Sequence, residues 1–229
     1  MAIEAFQYNA SSGSAGMSAS LGATTRAGGV VVLFVMATGT GTTTGTWGAV
    51  SGLTVLSSGT VTAASTWLSW QVYWKYFPTS GADSPYSPVY SSTKTRFAFY
   101  LVEYRGLSSA PFGTLATNPI TTAGTTVDAP SVTLATPPSA LVSFAGAAGS
   151  SIGGVAVPSG MTESSIYSGN TSIGGGIAHQ TGLSGATGAK TWTGVNYTVA
   201  AGLSVGAFEA PTRPTTTVRS GAVTRSSRW

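Results

Sequence analysis

The feature that most constrains this chain is the spacing of its apolar residues, which is typical of β-strands. In "WLSWQVYWKYF" (residues 67–77), every second position from Leu68 to Tyr76 is apolar, and polar residues interrupt the positions between them. Successive side chains of a strand point to opposite faces of a sheet, so this alternation predicts a strand that is buried on one face only. Helical periodicity is nearly absent from the chain.

The other apolar runs are short, rich in β-branched and aromatic residues, and bounded by Gly, Pro, Ser or Thr. "TRFAFYLVEYRGL" (residues 95–107) is apolar on both faces, which predicts a central strand covered on both sides. Further strands are predicted at 3–8, 17–21, 30–37, 53–56, 132–135, 141–145, 162–167, 175–180, 191–199 and 203–208.

About ten to a dozen short strands with regular turn signals are typical of a two-layer sandwich or a jelly roll. The chain has 229 residues, a length that suits one large all-β domain or two small ones, and we favour one domain. We therefore predict an all-β, two-layer antiparallel β-sandwich, jelly-roll-like, over residues 1–211. An extended basic C-terminal arm, residues 212–229, follows it.

The charges of the chain are few and unevenly placed. Only 7% of its residues are charged, and residues 1–211 hold six Lys or Arg and six Asp or Glu, so their net charge is zero. The whole net charge of +4 therefore belongs to the arm. A neutral body argues against a basic nucleic-acid-binding face, and nucleic acid is not expected as a partner.

The arm has the composition of a tether rather than of a folded segment. Pro211 and Pro214 prevent a regular continuation of the last strand, and the segment offers few apolar residues to bury. Fully extended, it spans about 60 Å, enough to cross a neighbouring subunit. We expect its cationic and aromatic side chains to bind a partner protein. These residues are Arg213, Arg219, Arg225, Arg228 and Trp229.

The chain offers little for catalysis. It has one histidine, His179, which we expect on a strand as a polar or half-buried residue. A literal G-x-S-x-G occurs at residues 202–206, but no histidine follows it and no helix is predicted after it, so the match is attributed to chance. A glycosidase-type carboxylate pair drawn from Asp83, Glu103, Asp128 and Glu163 is left open. No catalytic residue is assigned, and an enzyme is the least favoured class.

Metal, cofactor and membrane sites are likewise not predicted. There is no cysteine, no acidic calcium loop and no phosphate-binding loop, and one histidine cannot make a typical zinc site. The longest apolar run, Val30 to Ala37, is far too short to span a bilayer, and the N-terminal residues lack the features of a signal peptide.

Aromatic residues in loops are the candidate surface contacts. Trp47 lies in a Gly/Thr-rich stretch, and Tyr86 and Tyr90 lie in a Ser/Pro-rich stretch, where exposed rings could stack on a glycan or anchor a protein interface. Trp70 and Trp74 alternate with apolar residues and are expected in the core.

Four segments together carry a family resemblance: "MSASLGATTRAGGVVVLFVMATG", "TRFAFYLVEYRGL", "DAPSVTLATPPSALVSFAGAAG" and "YTVAAGLSVGAFEAP". The shared pattern is a hydrophobic strand after a Gly-bearing turn, a long strand ending at Tyr104–Arg105–Gly106, a paired "PSVT" and "ALVSF" unit, and a closing strand of small residues. Over residues 1–211 the chain resembles a β-sandwich module of minor tail and other virion proteins of tailed bacteriophages, also found in some bacterial surface proteins.

The resemblance implies a sandwich fold, a virion role in a symmetric multi-copy assembly, and no catalytic residues to carry over. The expected function is that of a non-enzymatic structural protein on the tail or capsid exterior, made in the host cytoplasm, foremost a minor tail or tail-tip component that docks on other virion proteins through the arm. The alternatives are a capsid decoration protein and a carbohydrate- or receptor-binding module that attaches to a host glycan.

Overall fold

The part of the chain that the structure describes forms thirteen β-strands and contains no helix. The computed structural model describes residues 3–13, 17–81, 85–92, 96–149, 151–167 and 172–210. The strands, numbered in chain order, are β1 (Glu4–Gly13), β2 (Gly29–Thr40), β3 (Thr54–Ala63), β4 (Thr66–Phe77), β5 (Arg96–Arg105), β6 (Leu107–Ile120), β7 (Val127–Ala129), β8 (Thr133–Ala148), β9 (Ser151–Ala156), β10 (Thr162–Tyr167), β11 (Ile173–Ala186), β12 (Lys190–Asn196) and β13 (Val199–Glu209).

The strands form three antiparallel sheets. The first sheet has the order β1-β5-β2-β4-β3, the second has the order β10-β11-β8-β13-β6, and the third has the order β7-β12-β9. The first sheet is built by the N-terminal half of the chain and the other two by the C-terminal half. This arrangement confirms the predicted all-β fold with a sandwich of two antiparallel sheets.

The main core lies between the first and second sheets, where the inner faces of both are apolar. Phe34 on β2 stands at its centre: its ring centre lies 5.7 Å from that of Tyr100 on β5 and 5.5 Å from that of Phe144 on β8. All three side chains are fully buried. Offset and edge-to-face aromatic pairs of this kind add to the free energy gained by burying their area.

The outer faces of both large sheets are also covered. Segments 17–21, 47–53 and 86–90, together called the cover of the first sheet, pack on its outer face, and the third sheet packs on the outer face of the second. The prediction that β4 is buried on one face only is therefore wrong, because Gln71 and Tyr73 are buried beneath those segments. The prediction of β5 as a central strand covered on both faces is confirmed.

Strand prediction failed where tertiary contacts rather than local pattern decide the structure. Residues 17–21 were predicted as a strand, but only Ala19 forms a bridge, to Tyr86, because this segment crosses over the first sheet instead of joining it. Strand β6 was missed because its sequence contains glycine, asparagine, alanine and two prolines, which are depleted in strands, and pairing with β13 forms it. The predicted arm, residues 212–229, lies outside the described residues.

Candidate functional site

The three aromatic residues proposed as surface contacts lie in the cover of the first sheet. Trp47 forms a bridge with Tyr90, and Tyr86 forms one with Ala19. The exposed fractions are 9% for Trp47, 4% for Tyr86 and 6% for Tyr90. The expectation that these rings are exposed on a loop rim is therefore wrong.

Close packing between the cover and the sheet explains this burial. The ring of Tyr90 stacks on Trp67 of β4 at 5.6 Å between centroids and meets Trp47 at 4.9 Å. The Tyr90 hydroxyl accepts a hydrogen bond from the backbone N–H of Gly45 at 2.7 Å. The hydroxyl of Tyr73 donates to the carbonyl of Gly48 at 2.5 Å, and burial raises the pKa of Tyr73 to about 12. These aromatic residues hold the cover onto the sheet.

A cleft of about 320 Å³ opens at the side of the sandwich where β1 lies near β10 and β11. Its lining includes Glu4 on β1, Glu163 on β10 and His179 on β11. Both glutamates are exposed, whereas the exposed fraction of His179 is 5%. The structure places the histidine on a strand, as predicted, although it is more deeply buried than a half-buried residue.

His179 is one end of a hydrogen-bonded chain that joins the two large sheets. The Tyr104 hydroxyl donates to Oγ of Ser164 at 2.8 Å, and Oγ of Ser164 lies 2.8 Å from Nδ1 of His179. Ser164 accepts from Tyr104, so its own hydrogen is free to donate to Nδ1 in the tautomer that carries the imidazole proton on Nε2. Burial lowers the pKa of His179, and burial raises that of Tyr104. The neutral form of each side chain is therefore favoured.

This chain of polar groups is not arranged for nucleophilic chemistry. Ser164 is 1% exposed and its oxygen already contacts both neighbours, so a substrate carbonyl has no path to it. Among the described residues, no three His, Cys, Asp or Glu side chains are grouped so that they could hold a metal ion. What the arrangement does is satisfy three buried polar groups across the interface between the sheets.

The G-x-S-x-G sequence lies inside β13 and forms no nucleophile elbow. Ser204 is fully buried and sits opposite Ser143 of β8 on one side and Ala116 of β6 on the other. The strand continues to Glu209 without the sharp turn and helix that the elbow requires. Its interpretation as a chance match agrees with this placement.

Comparisons of the chain with protein-family models, with curated proteins and with solved structures found no match.

The carboxylates left open as a glycosidase pair are distributed over different sheets. Glu103 is fully buried on the first sheet, Glu163 lies on the second sheet, and Asp128 lies on the third, where it accepts a hydrogen bond from Thr191. Asp83 lies outside the described residues. The structure does not bring Glu103 and Asp128 together, since the first and third sheets lie on opposite sides of the second.

Sequence reasoning missed a structural role for Glu103. Its carboxylate accepts hydrogen bonds from the Gln7 amide and, at 3.3 Å, from the backbone N–H of Arg26, and it forms an ion pair with Arg105 at 3.5 Å. A glutamate inside an otherwise apolar strand was the available signal, because a buried charge requires partners. These contacts fasten the edge strand β1 and the segment before β2 to β5.

No helix long and apolar enough to cross a membrane occurs in the described part of the chain. The predicted partner-binding residues of the arm, Arg213, Arg219, Arg225, Arg228 and Trp229, lie outside the described residues.

Proposed function

We propose that this protein is a non-enzymatic structural subunit of a tailed-phage virion, on the tail or capsid exterior. The observation that supports a structural role is the Tyr104–Ser164–His179 chain, in which the single histidine of the protein is used to join two sheets. The resemblance of residues 1–211 to virion sandwich modules supports the virion assignment.

The distribution of charge supports assembly in many copies. Because the body has few charged residues, burying its surfaces costs little desolvation energy, and because its net charge is zero, copies accumulate no repulsion. Within the virion we propose a minor tail or tail-tip position, with capsid decoration as the alternative. Other virion proteins are the proposed partners.

The glycan-binding alternative receives less support from the structure than from the sequence. It rested on exposed rings of Trp47, Tyr86 and Tyr90, and these are buried in the cover of the first sheet. Substituting these residues should lower the stability of the fold and should affect glycan binding only as a consequence. No observation on the described residues favours this second function.

The arm is the proposed tether, because four arginines and a terminal tryptophan in an otherwise polar segment suit a protein partner. The experiment compares the full chain with a chain ending at Pro211 for incorporation into particles that lack the native protein. A matched full-length variant replaces Arg213, Arg219, Arg225 and Arg228 with glutamine, which preserves the length of the arm and removes its charge.

We expect the truncated chain to fold, as judged by its circular dichroism and melting temperature, and to be missing from the particles. The glutamine variant should incorporate poorly as well. Normal incorporation of the truncated chain would reject the tether, and absence of even the full chain from purified particles would reject the virion role.

A further inference from the structure

Strand β3 is an open edge of the first sheet. It pairs with β4 on one side, and no described residue pairs with its other side. Its sequence, TVLSSGTVTA, contains no charged residue and no proline over ten residues. A long uncharged edge offers a row of free backbone N–H and C=O groups to another strand.

The five other edge strands in the described part of the chain carry features that discourage such pairing. Glu4 lies on β1 and Glu163 on β10, prolines 111 and 119 lie on β6, and β7 and β9 are only three and six residues long. On the β1 side the Ser165 hydroxyl also donates to the carbonyl of Asn9 at 3.5 Å, which uses one of the free edge groups. Charges, prolines, short length and bulges are the usual protections of sheet edges, and β3 has only one of them, a bulge between Val55 and Ser57 that leaves residues 57–63 unprotected.

We propose that β3 is a self-association site at which two copies of this chain pair antiparallel and join their first sheets into one continuous sheet. After the bulge between Val55 and Ser57, residues Ser57–Ala63 run in regular register. Two-fold pairing centred on this segment places Thr60 opposite Thr60 of the second copy and Ser58 opposite Thr62. Hydroxyl residues facing each other across strands are favourable pairs.

A second copy suits this edge better than a charged peptide. The strand is uncharged and the body has no net charge, so two copies meet without repulsion, whereas an arginine-rich segment would find no carboxylate on β3. The edge is also held rigidly: the Trp70 ring covers Gly59 on the inner face, and Thr60 donates to Ser69 on the outer face at 3.2 Å. A pre-organised edge loses little entropy on pairing.

The first test places charge at the symmetry axis. Thr60 is exposed, so Thr60→Glu and Thr60→Lys should each leave the monomer folded, but each brings like charges face to face in the paired state. Sedimentation equilibrium should show wild-type dimers of the 22.9 kDa chain and, for each variant alone, association weakened by about tenfold or more. An equimolar mixture of the two variants should dimerise again. Thr193→Glu, an exposed site on β12, is the matched control and should associate as wild type does.

The second test uses the lack of native cysteine in the chain. Residues directly opposite in an antiparallel pair have Cα atoms about 4.5–5.5 Å apart, a separation that a disulfide can bridge. Full-length Thr60→Cys should therefore form a covalent dimer on mild oxidation, visible on a non-reducing gel. Thr193→Cys should stay monomeric under the same conditions.

A wild-type monomer at every concentration would overturn the proposal, and so would dimers that neither Thr60 charge variant weakens. Association that is lost on deleting residues 212–229 but unaffected at Thr60 would assign self-association to the arm and reject β3. The inference rests on the proposed structural role, and the experiments separate the two. Incorporation of a purely monomeric protein into particles would reject the pairing alone, and β3 dimers that never enter particles would reject the virion role alone.

Discussion

The hydroxyl of Tyr104 on β5 donates a hydrogen bond to Oγ of Ser164 on β10 at 2.8 Å, across the interface between the two large sheets. The two residues are sixty positions apart in the chain. Both are fully or almost fully buried, so this bond and its continuation to His179 replace water that the three groups lost on folding. The interface between the two large sheets depends on this polar chain as well as on apolar packing.

Ser164→Ala should be more destabilising than Tyr104→Phe. The serine variant leaves both the Tyr104 hydroxyl and Nδ1 of His179 buried without a partner, at a cost of about 3 kcal/mol, whereas the phenylalanine variant removes one donor and costs about 1 kcal/mol. Urea denaturation of both variants measures the difference. Ser204→Ala is the matched control, because Ser204 is equally buried but its hydroxyl has no hydrogen-bond partner among the described residues. It should leave stability unchanged or raise it, and equal losses for all three would contradict the assigned role.

Stability should fall on mild acidification because of His179. Burial lowers the pKa of His179 in the folded protein below the ordinary 6.5, so the unfolded chain takes up the proton first as the pH drops. The contribution is present above pH 6.5, decreases as the pH falls below it, and is fully lost below the lowered pKa. His179→Asn keeps an acceptor for Ser164 without the titration. The difference in unfolding free energy between wild type and this variant should therefore change between pH of about 7.5 and about 5. A constant difference would show that His179 does not titrate as proposed.

Gly202→Ala should destabilise the contact between β13 and the third sheet. A Cβ at this position would meet the backbone of Asp128 and come within 2.8 Å of Cα of Ala129, and backbone atoms cannot rotate away as a side chain can. The expected cost is about 2 kcal/mol, measured by thermal and chemical unfolding. Gly22→Ala, where a Cβ would meet nothing within 4 Å, should stay within about 0.5 kcal/mol of wild type. Similar effects at the two glycines would contradict the close approach.

Trp47→Ala should act as a core substitution and not as the loss of a surface contact. Removing this ring opens a cavity beside Tyr90 in the cover of the first sheet, at a cost of about 3 kcal/mol. Denaturant titration measures the loss, and Val89→Ala, on an exposed neighbouring residue, is the control. Unchanged stability of Trp47→Ala would return this residue to the set of candidate contacts.

Much of the sandwich was predictable because β2, β4 and β5 carry their information locally. A run such as Val30–Ala37 is apolar throughout, and a strand in a sheet core is the short structure that buries such a run on both faces. The covered outer face of β4 was not predictable. Gln71 appears polar in the sequence, and only the distant segments around Trp47 and Tyr90 bury it.

The residues of the candidate site were also only partly predictable from the sequence. The sequence singled out His179 as the one histidine and placed it on a strand, but it contained no signal for Ser164, one of many serines, or for Tyr104 at the other end of the chain of hydrogen bonds. Side chains that meet across a sandwich are set by register and by the stacking of sheets, neither of which leaves a local pattern.

The sequence by itself determined the strand-built architecture and the neutral body with its basic C-terminal segment. Both follow from composition and from a side-chain period of two, which are properties of neighbouring residues. Only the tertiary structure decided which polar groups meet at His179, which aromatic rings are buried, and that β3 is left as the unprotected edge. Those outcomes depend on which strands pair and which sheet faces stack. The residues whose contacts supply that free energy lie far apart in the chain.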